Sequence, residues 1–139
     1  MKDSNTIILI VGLPGSGKSQ LANRINNDNG GKFTIINDPK DLEVIKNQIH
    51  KDLIITDPHL CFEKNRQQAE KLIKELNPNC KLEWIYFKND PDQCLTNSNI
   101  RNRANSISFK PVKKVDSFIK NFSQYYTIPE GAFVVDVWS

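Results

Sequence analysis

The chain has 139 residues, of which 38% are hydrophobic and 25% charged, and its formal net charge is +3. This length fits one domain, residues 1–139, with enough apolar side chains to bury a core. The lysines are scattered and not gathered into a basic stripe, so charge alone argues neither for nor against a nucleic-acid partner. No signal peptide is visible and the first apolar run is too short to span a membrane, so we expect a cytoplasmic protein without a membrane partner.

The three cysteines give no sign of a disulfide framework or a metal site. Cys61, Cys80 and Cys94 form no C-x-x-C pair, and their number is odd. We therefore expect reduced thiols. Their spacing to His50 or His59 fits no zinc-binding pattern, so we expect no structural metal.

The first predicted element is a continuously apolar strand over residues 6–11, and the sequence GLPGSGKS follows it at residues 12–19. These eight residues match G-x-x-x-x-G-K-[ST] at every position, and a helix is predicted from Lys18 to about Asn27. Strand, glycine-rich turn and helix together are the context that identifies a phosphate-binding P-loop. The residues expected to bind the nucleotide are Gly12, Pro14, Gly15, Ser16, Gly17, Lys18, Ser19 and Gln20.

The chemistry of such a loop assigns roles to two side chains. Its glycines allow a tight turn whose N–H groups converge on one point, and the helix adds the positive end of its dipole. Lys18 is expected to reach the β- and γ-phosphates, and the Ser19 hydroxyl is expected to bind Mg²⁺.

The rest of the chain alternates between strands and helices. Further strands are predicted at residues 33–36, 53–56, 82–87 and 132–137. Helices are predicted from Pro39 to about residue 49, over 62–76, from Pro91 toward Arg103, and from Val112 to about Tyr125, with residues 105–110 as a loop. This alternation predicts an α/β fold, a P-loop NTPase three-layer α/β/α sandwich with a five-stranded parallel sheet.

Two aspartates follow predicted strands and should lie at the edge of the sheet where ligands of such folds collect. Asp57 ends the buried strand 53–56, the position at which P-loop proteins bind Mg²⁺, directly or through a water; alternatively, it caps the turn before His59. Asp38 precedes Pro39, an arrangement typical of a helix N-cap. Its place beside the phosphate site also allows a role in the chemistry, and the two roles can coexist.

The sequence resembles the small P-loop kinases of the phage 5′-polynucleotide kinase type, in their kinase domain, and more loosely the gluconate and shikimate kinases. The resemblance is carried by residues 7–19, 35–38, 53–66, 84–87, 90–91 and the segment of Arg101 and Arg103. It implies ATP and Mg²⁺ as cofactors, Lys18 and Asp38 as catalytic residues, with Asp38 as the general base. It also implies that Arg101 or Arg103 is the lid arginine that contacts the transferring phosphate.

The sequence departs from this family around the acceptor. The polynucleotide kinases place an arginine soon after the base, whereas Pro39 follows Asp38 here and no arginine lies between Arg24 and Arg66. The family also has a much longer insert between the two aspartates. We therefore expect a reduced acceptor pocket.

Four other side chains are further candidates for the site or its surroundings. Arg66 is the candidate for phosphate contact if neither lid arginine serves. His59 could touch a substrate, although a hydrogen-bonded loop histidine is the more common case. Trp84 and Trp138 are expected to pack and not to stack on bases.

Three functions are compatible with this sequence. The first is a kinase, a monomer or homodimer, that transfers the γ-phosphate of ATP to a hydroxyl or phosphate acceptor such as a nucleic acid 5′ end, a nucleotide or a small metabolite. The second is a GTPase switch, which the residues disfavour, since the stretch that begins at Asp57 lacks the glycine of D-x-x-G and Asp90 replaces the lysine of N-K-x-D. The third is a non-catalytic nucleotide-binding module.

Overall fold

The computed structural model describes residues 5–39, 42–104 and 112–138, without the side chains of residues 42, 100–104 and 112–116. The strands are β1 (Thr6–Val11), β2 (Thr34–Asn37), β3 (Leu53–Thr56), β4 (Lys81–Phe87) and β5 (Val134–Val135). The helices are α1 (Lys18–Asp28), α2 (Leu42–Lys46), a 3₁₀ helix (Pro58–Cys61), α3 (Glu63–Leu76), α4 (Pro91–Ala104) and α5 (Val112–Tyr125). None of these helices is long and apolar enough to cross a bilayer.

The five strands form one parallel sheet in the order β2-β3-β1-β4-β5. Strand β1 lies at its centre, where Leu9 pairs with Ile55 of β3 on one side and with Trp84 of β4 on the other. Consecutive residues of β1 and β3 are buried, which requires helices on both faces of the sheet. The predicted α/β fold with a five-stranded parallel sheet is therefore confirmed.

The hydrophobic core consists of the side chains of the central strands and of the helix faces that pack against them. Ala22 of α1, Ile73 of α3 and Ile119 of α5 are fully buried against this cluster. Burying a side chain of the size of isoleucine contributes about 1.5–3 kcal/mol, so the continuous apolar strands supply much of the driving force for folding. This packing holds the carboxyl ends of the strands in place, and the candidate site lies there.

Strand boundaries differ from the predicted ones where backbone N–H groups at the strand ends form hydrogen bonds outside the sheet. Strand β2 begins at Thr34 because the N–H of Phe33 donates to the Asn26 side chain, 2.8 Å away. Strand β5 has only two residues, since the Ala132 N–H closes a turn onto Pro129 and the Trp138 N–H bonds to the P-loop. Hydrophobic pattern alone does not report such competition for backbone groups.

The chain after β2 also differs from its prediction. Helix α2 begins at Leu42, not directly after Asp38, whose φ of 47° is left-handed and whose N–H bonds to Thr56 across the sheet. An N-cap residue has an extended backbone. Asp38 is therefore not the cap of α2. The 3₁₀ helix after β3 was not predicted, and the predicted loop at 105–110 lies outside the described residues.

Arg66 has a structural role in this fold. Its side chain is buried, and its guanidinium donates to the carbonyls of Leu60 and Cys61, both at 2.9 Å, and to the Thr127 hydroxyl at 3.0 Å. It also lies over the ring of Tyr86. These contacts fasten the 3₁₀ helix to α3, so the interpretation of Arg66 as a substitute phosphate ligand is not supported.

Replacing Arg66 by alanine should therefore destabilise the fold. The substitution leaves two buried carbonyls without donors, and we expect a loss of about 2–4 kcal/mol in the free energy of unfolding. Denaturant unfolding of Arg66→Ala, compared with Lys71→Ala at an exposed position of the same helix, measures the difference. Equal stability of the two variants would contradict the role given to Arg66.

Candidate functional site

The P-loop at residues 12–19 has the backbone that its glycines predict. Gly15 and Gly17 have φ values of 84° and 104°, in the left-handed region that favours glycine. Gly17 is the N-cap of α1. The Ser16 N–H closes the turn by donating to the Leu13 carbonyl at 3.1 Å. The loop therefore delivers the unpaired N–H groups of a helix N-terminus to one place, which is the requirement for an anion site.

Two other segments pack closely on this loop. A Cβ added at Gly15 would lie 2.5 Å from the Cys94 carbonyl and 2.6 Å from the Ser98 hydroxyl, both on α4. One added at Gly17 would lie 2.8 Å from the Cβ of Trp138. Glycine is therefore required at both positions for close approach as well as for conformation.

Hydrogen bonds join these segments to the loop. The Asn97 amide donates to the carbonyls of Gly15, at 2.9 Å, and of Trp138. The Trp138 N–H in turn donates to the Ser16 carbonyl at 3.0 Å. Sequence reasoning missed Asn97 and this role of Trp138, because neither residue belongs to a motif or to a periodic pattern.

The Lys18 side chain bends back over the loop. Its Nζ donates to the carbonyls of Gly12 at 3.1 Å and Leu13 at 3.0 Å. Burial lowers the pKa of Lys18, and the nearby Cys61 and Asp38 oppose this shift. The ammonium group thus has carbonyl partners that phosphate oxygens would replace with stronger, charge-assisted bonds.

A pocket of about 150 Å³ brings most of the predicted phosphate-site residues together. The predicted residues that line it are Pro14, Gly15, Gly17, Lys18, Ser19 and Asp38. Thr56 and Pro58 complete the lining. At the edge of the pocket, Asn37 accepts from the Thr56 hydroxyl and lies 3.5 Å from that of Ser19. Asn37 and Thr56 were not predicted, since they read as ordinary strand ends.

Asp38 combines a place in this pocket with a strained backbone. It is the one residue other than glycine with a positive φ in the part of the chain that the structure describes. Aspartate tolerates this conformation better than most residue types, at a cost of about 1–3 kcal/mol. Such strain is found preferentially at functional sites, and here it holds the carboxylate in the phosphate pocket.

Asp57 lines the neighbouring pocket and not the phosphate pocket. Its Oδ1 accepts from the backbone N–H of His59 and from the His59 ring nitrogen Nδ1, both at 2.9 Å, so it caps the 3₁₀ helix. Side chains alternate along an extended chain, and Thr56 therefore faces the P-loop while Asp57 lines the neighbouring pocket. The predicted capping role is present, and metal binding by Asp57 stays a prediction.

The oxygen atoms near Ser19 suit a hard divalent cation. Hydroxyl, amide and carboxylate oxygens of Ser19, Asn37 and Asp38 gather at this edge. The described residues contain no group of three His, Cys, Asp or Glu that could hold a metal by itself. A magnesium ion here would therefore depend on phosphate and water ligands as well as on Ser19.

The two arginines that the sequence predicts as lid candidates follow the part of α4 that contacts the P-loop. Arg101 and Arg103 both lie in the C-terminal part of this helix, and their side chains lie outside the described part of the chain. Arg101 comes four positions after Asn97, so the two Cα atoms share one face of α4. Arg103 does not share that face.

A third pocket, of about 250 Å³, lies on the other side of Gly17. The side chains of Leu21, Phe87 and Val135 give it apolar walls, and Arg24 and Trp138 also line it. Trp138 is 58% exposed. The tryptophan thus packs on Gly17 from the surface and is not a core residue.

Comparison with known proteins identifies the fold. A gluconokinase from Sinorhizobium meliloti 1021 matches with a TM-score of 0.62 at 16% identity, over 98% of this chain and 83% of that protein. A fungal RNA kinase matches with a TM-score of 0.62 at 17% identity, over 98% and 76% of the two chains. A structure of the PezAT toxin–antitoxin system of Streptococcus pneumoniae matches with a TM-score of 0.61 at 16% identity, over 86% and 61%.

No family model and no curated protein sequence matches the chain significantly. The identities to the solved structures are low, so these matches establish the fold and not an activity. The chain has the fold of the small P-loop kinases, and the resemblance seen in the sequence is confirmed at that level.

The packing of α4 on the loop can be tested by measuring the stability of variants, without an activity assay. Gly15→Ala should lose about 1–3 kcal/mol more than Gly30→Ala in the free energy of unfolding, because the new methyl group displaces α4. Gly30 is the matched control, since its φ is also positive, at 71°, but nothing lies within 4 Å of an added Cβ. Equal losses in thermal or denaturant unfolding would mean that α4 does not press on the loop.

Proposed function

We propose that this protein is an ATP-dependent phosphotransferase that moves the γ-phosphate of ATP to a hydroxyl or phosphate acceptor. The observation that carries the proposal is the single pocket shared by the P-loop, Lys18 and Asp38. It combines an anion site with a carboxylate that can receive a proton. The names of the similar structures, a gluconokinase and an RNA kinase, agree with phosphoryl transfer but name different acceptors.

ATP fits the sites on the two sides of Gly17. Its phosphates would bind in the pocket of Lys18 and Ser19. Its base would bind in the pocket of about 250 Å³ beside Phe87 and Trp138. Lys18 would exchange its two carbonyl partners for β- and γ-phosphate oxygens. A bound Mg²⁺, held by the Ser19 hydroxyl with the Asn37 amide oxygen at hand, would neutralise charge on the phosphates. Asp57 could join only through a water, since it lines the neighbouring pocket.

The transfer step assigns the proton to Asp38. The acceptor oxygen forms a bond to the γ-phosphorus while the bond to the ADP oxygen breaks, and ADP leaves with that electron pair. The acceptor's proton passes to the Asp38 carboxylate. Because the transition state is loose, proton removal comes late and a carboxylate is a sufficient base. Arg101, one turn after Asn97 on α4, is the preferred lid residue for the charge that develops on the phosphoryl group.

The decisive assay measures release of ADP from ATP-Mg with a panel of acceptors. D-gluconate, the four ribonucleosides and an oligoribonucleotide with a 5′-hydroxyl cover the chemistry of the kinases named above. Release that depends on an acceptor supports the kinase. Tight ATP binding without turnover on any acceptor supports a non-catalytic nucleotide-binding module instead.

Lys18→Ala should abolish ATP binding or turnover and leave the fold intact. The substitution removes the charge that faces the phosphates but no apolar core contact. Isothermal titration with ATP and thermal unfolding measure the two properties, with Lys71→Ala as the exposed control. A Lys18→Ala protein that binds and turns over ATP like the parent would refute the phosphate site.

Asp38→Asn should separate chemistry from binding. Asparagine also tolerates the left-handed backbone, so stability and ATP affinity should barely change. Acceptor phosphorylation should fall by about 10²–10⁴-fold, the usual range for a positioned base. Asp28→Asn at the exposed end of α1 is the control for loss of one charge. Transfer at the parent rate by Asp38→Asn would exclude Asp38 as the base.

A further inference from the structure

A pocket of about 360 Å³ adjoins the phosphate pocket and has no part in the roles assigned so far, apart from Asp57. Its floor is apolar and comes from Leu9 and Ile55 of the sheet, Ile45 of α2 and Ala69 of α3. Its volume lies near the lower end of the range of roughly 300–1,000 Å³ that small-molecule sites occupy. A compound of the size of a nucleoside fits this space.

The two pockets share a wall built from the carboxyl ends of β2 and β3. Asp38 lines the phosphate pocket and Pro39 lines the apolar pocket; in the same way Thr56 faces the first and Asp57 the second. Only this single layer of chain separates them. A molecule in the apolar pocket would therefore hold its outer end beside Asp38 and the phosphates, where an acceptor has to lie.

His59 stands at this wall in a fixed orientation. Asp57 accepts hydrogen bonds from the backbone N–H of His59 and from Nδ1 of the His59 ring. The His59 ring packs with its centroid 5.6 Å from that of the Phe122 ring. Since a carboxylate can only accept, Nδ1 donates in this bond, and in the neutral ring Nε2 would then present a lone pair. Within the described residues, nothing bonds to Nε2. His59 is exposed and lines the pocket.

We propose that this pocket binds the acceptor, and that the acceptor is an uncharged, ring-bearing hydroxyl compound of the nucleoside type that donates a hydrogen bond to Nε2 of His59. This inference rests on the proposed kinase function. None of the described lining residues is a lysine or an arginine. A polyhydroxylated acid has no apolar face, so some of its polar groups would lie against the apolar floor, which is costly. A nucleobase instead offers apolar faces to the floor and polar edges to Asn65 and Gln68.

In this arrangement His59 binds the acceptor, whereas Asp38 on the other side of the wall receives the proton. The two residues therefore predict different kinetic signatures. Loss of His59 weakens binding of the acceptor and leaves the chemical step intact. Loss of the Asp38 carboxylate slows the chemical step and leaves binding intact.

The test uses the parent protein, His59→Ala and His50→Ala with ATP-Mg and three probes: the four ribonucleosides, a 5′-hydroxyl oligoribonucleotide and D-gluconate. His50 is the only other histidine in the chain and is exposed, so it serves as the matched control. We expect phosphorylation of a free nucleoside, or of the 5′-terminal nucleoside of the RNA, but not of gluconate. His59→Ala should raise the KM for that acceptor about three- to tenfold, the effect of one hydrogen bond, with kcat and the KM for ATP within twofold of the parent.

A second readout is independent of turnover. In ¹⁵N spectra of the imidazoles, the accepted nucleoside or RNA should shift the His59 signal in the presence of ADP and leave that of His50 in place. Transfer to gluconate alone, an unmoved His59 signal, or a fall in kcat at constant KM for His59→Ala would each overturn the proposal. Failure of the parent to bind ATP would instead refute the kinase function on which it rests.

Discussion

The close approach of α4 to Gly15 is the contact on which the rest of the site depends. The backbone of α4 lies where a side chain at position 15 would be, and Asn97 ties the Gly15 carbonyl to that of Trp138. Trp138 is bonded in turn to Ser16. The P-loop, helix α4 and the segment after β5 thus form one hydrogen-bonded unit. A shift of α4 is therefore coupled to the loop and to the pocket beside Trp138.

Alternation along the strand ends divides the chemistry between two pockets. The residue pairs at the ends of β2 and β3 each send one side chain to the P-loop and the next to the apolar pocket. A shift by one residue in β3 would exchange the roles of Thr56 and Asp57. This is why Asp57, whose metal binding stays a prediction, accepts the hydrogen bonds of His59. The same geometry brings Thr56 and Asn37 to the Ser19 hydroxyl, where the sequence offers no motif.

What the sequence predicts well follows from local physics. The strands at 6–11 and 53–56 were predicted to the residue, because strands buried on both faces are apolar at every position. The P-loop conformation followed from the spacing of its glycines. The sequence could not predict the ends of β2 and β5, which depend on hydrogen bonds donated to Asn26 and Ser16, or the contact of Asn97 with the loop. Residues from other parts of the fold determine these strand ends and this contact, and the local sequence carries no information about them.

The state of Lys18 shows how the loop is prepared for its ligand. Burial lowers the pKa of this lysine, and Asp38 is among the nearby groups that oppose the shift. In the free protein two carbonyls hold the ammonium group, at the cost of part of its hydration. Phosphates bring negative charge to the same place and raise the pKa again, so binding favours the protonated lysine. As pH rises through the lowered pKa, the free protein loses this proton, and an anionic ligand must then bind with proton uptake. If the proposed nucleotide binds here, its affinity would therefore be linked to pH through Lys18, in the direction of weaker binding at alkaline pH.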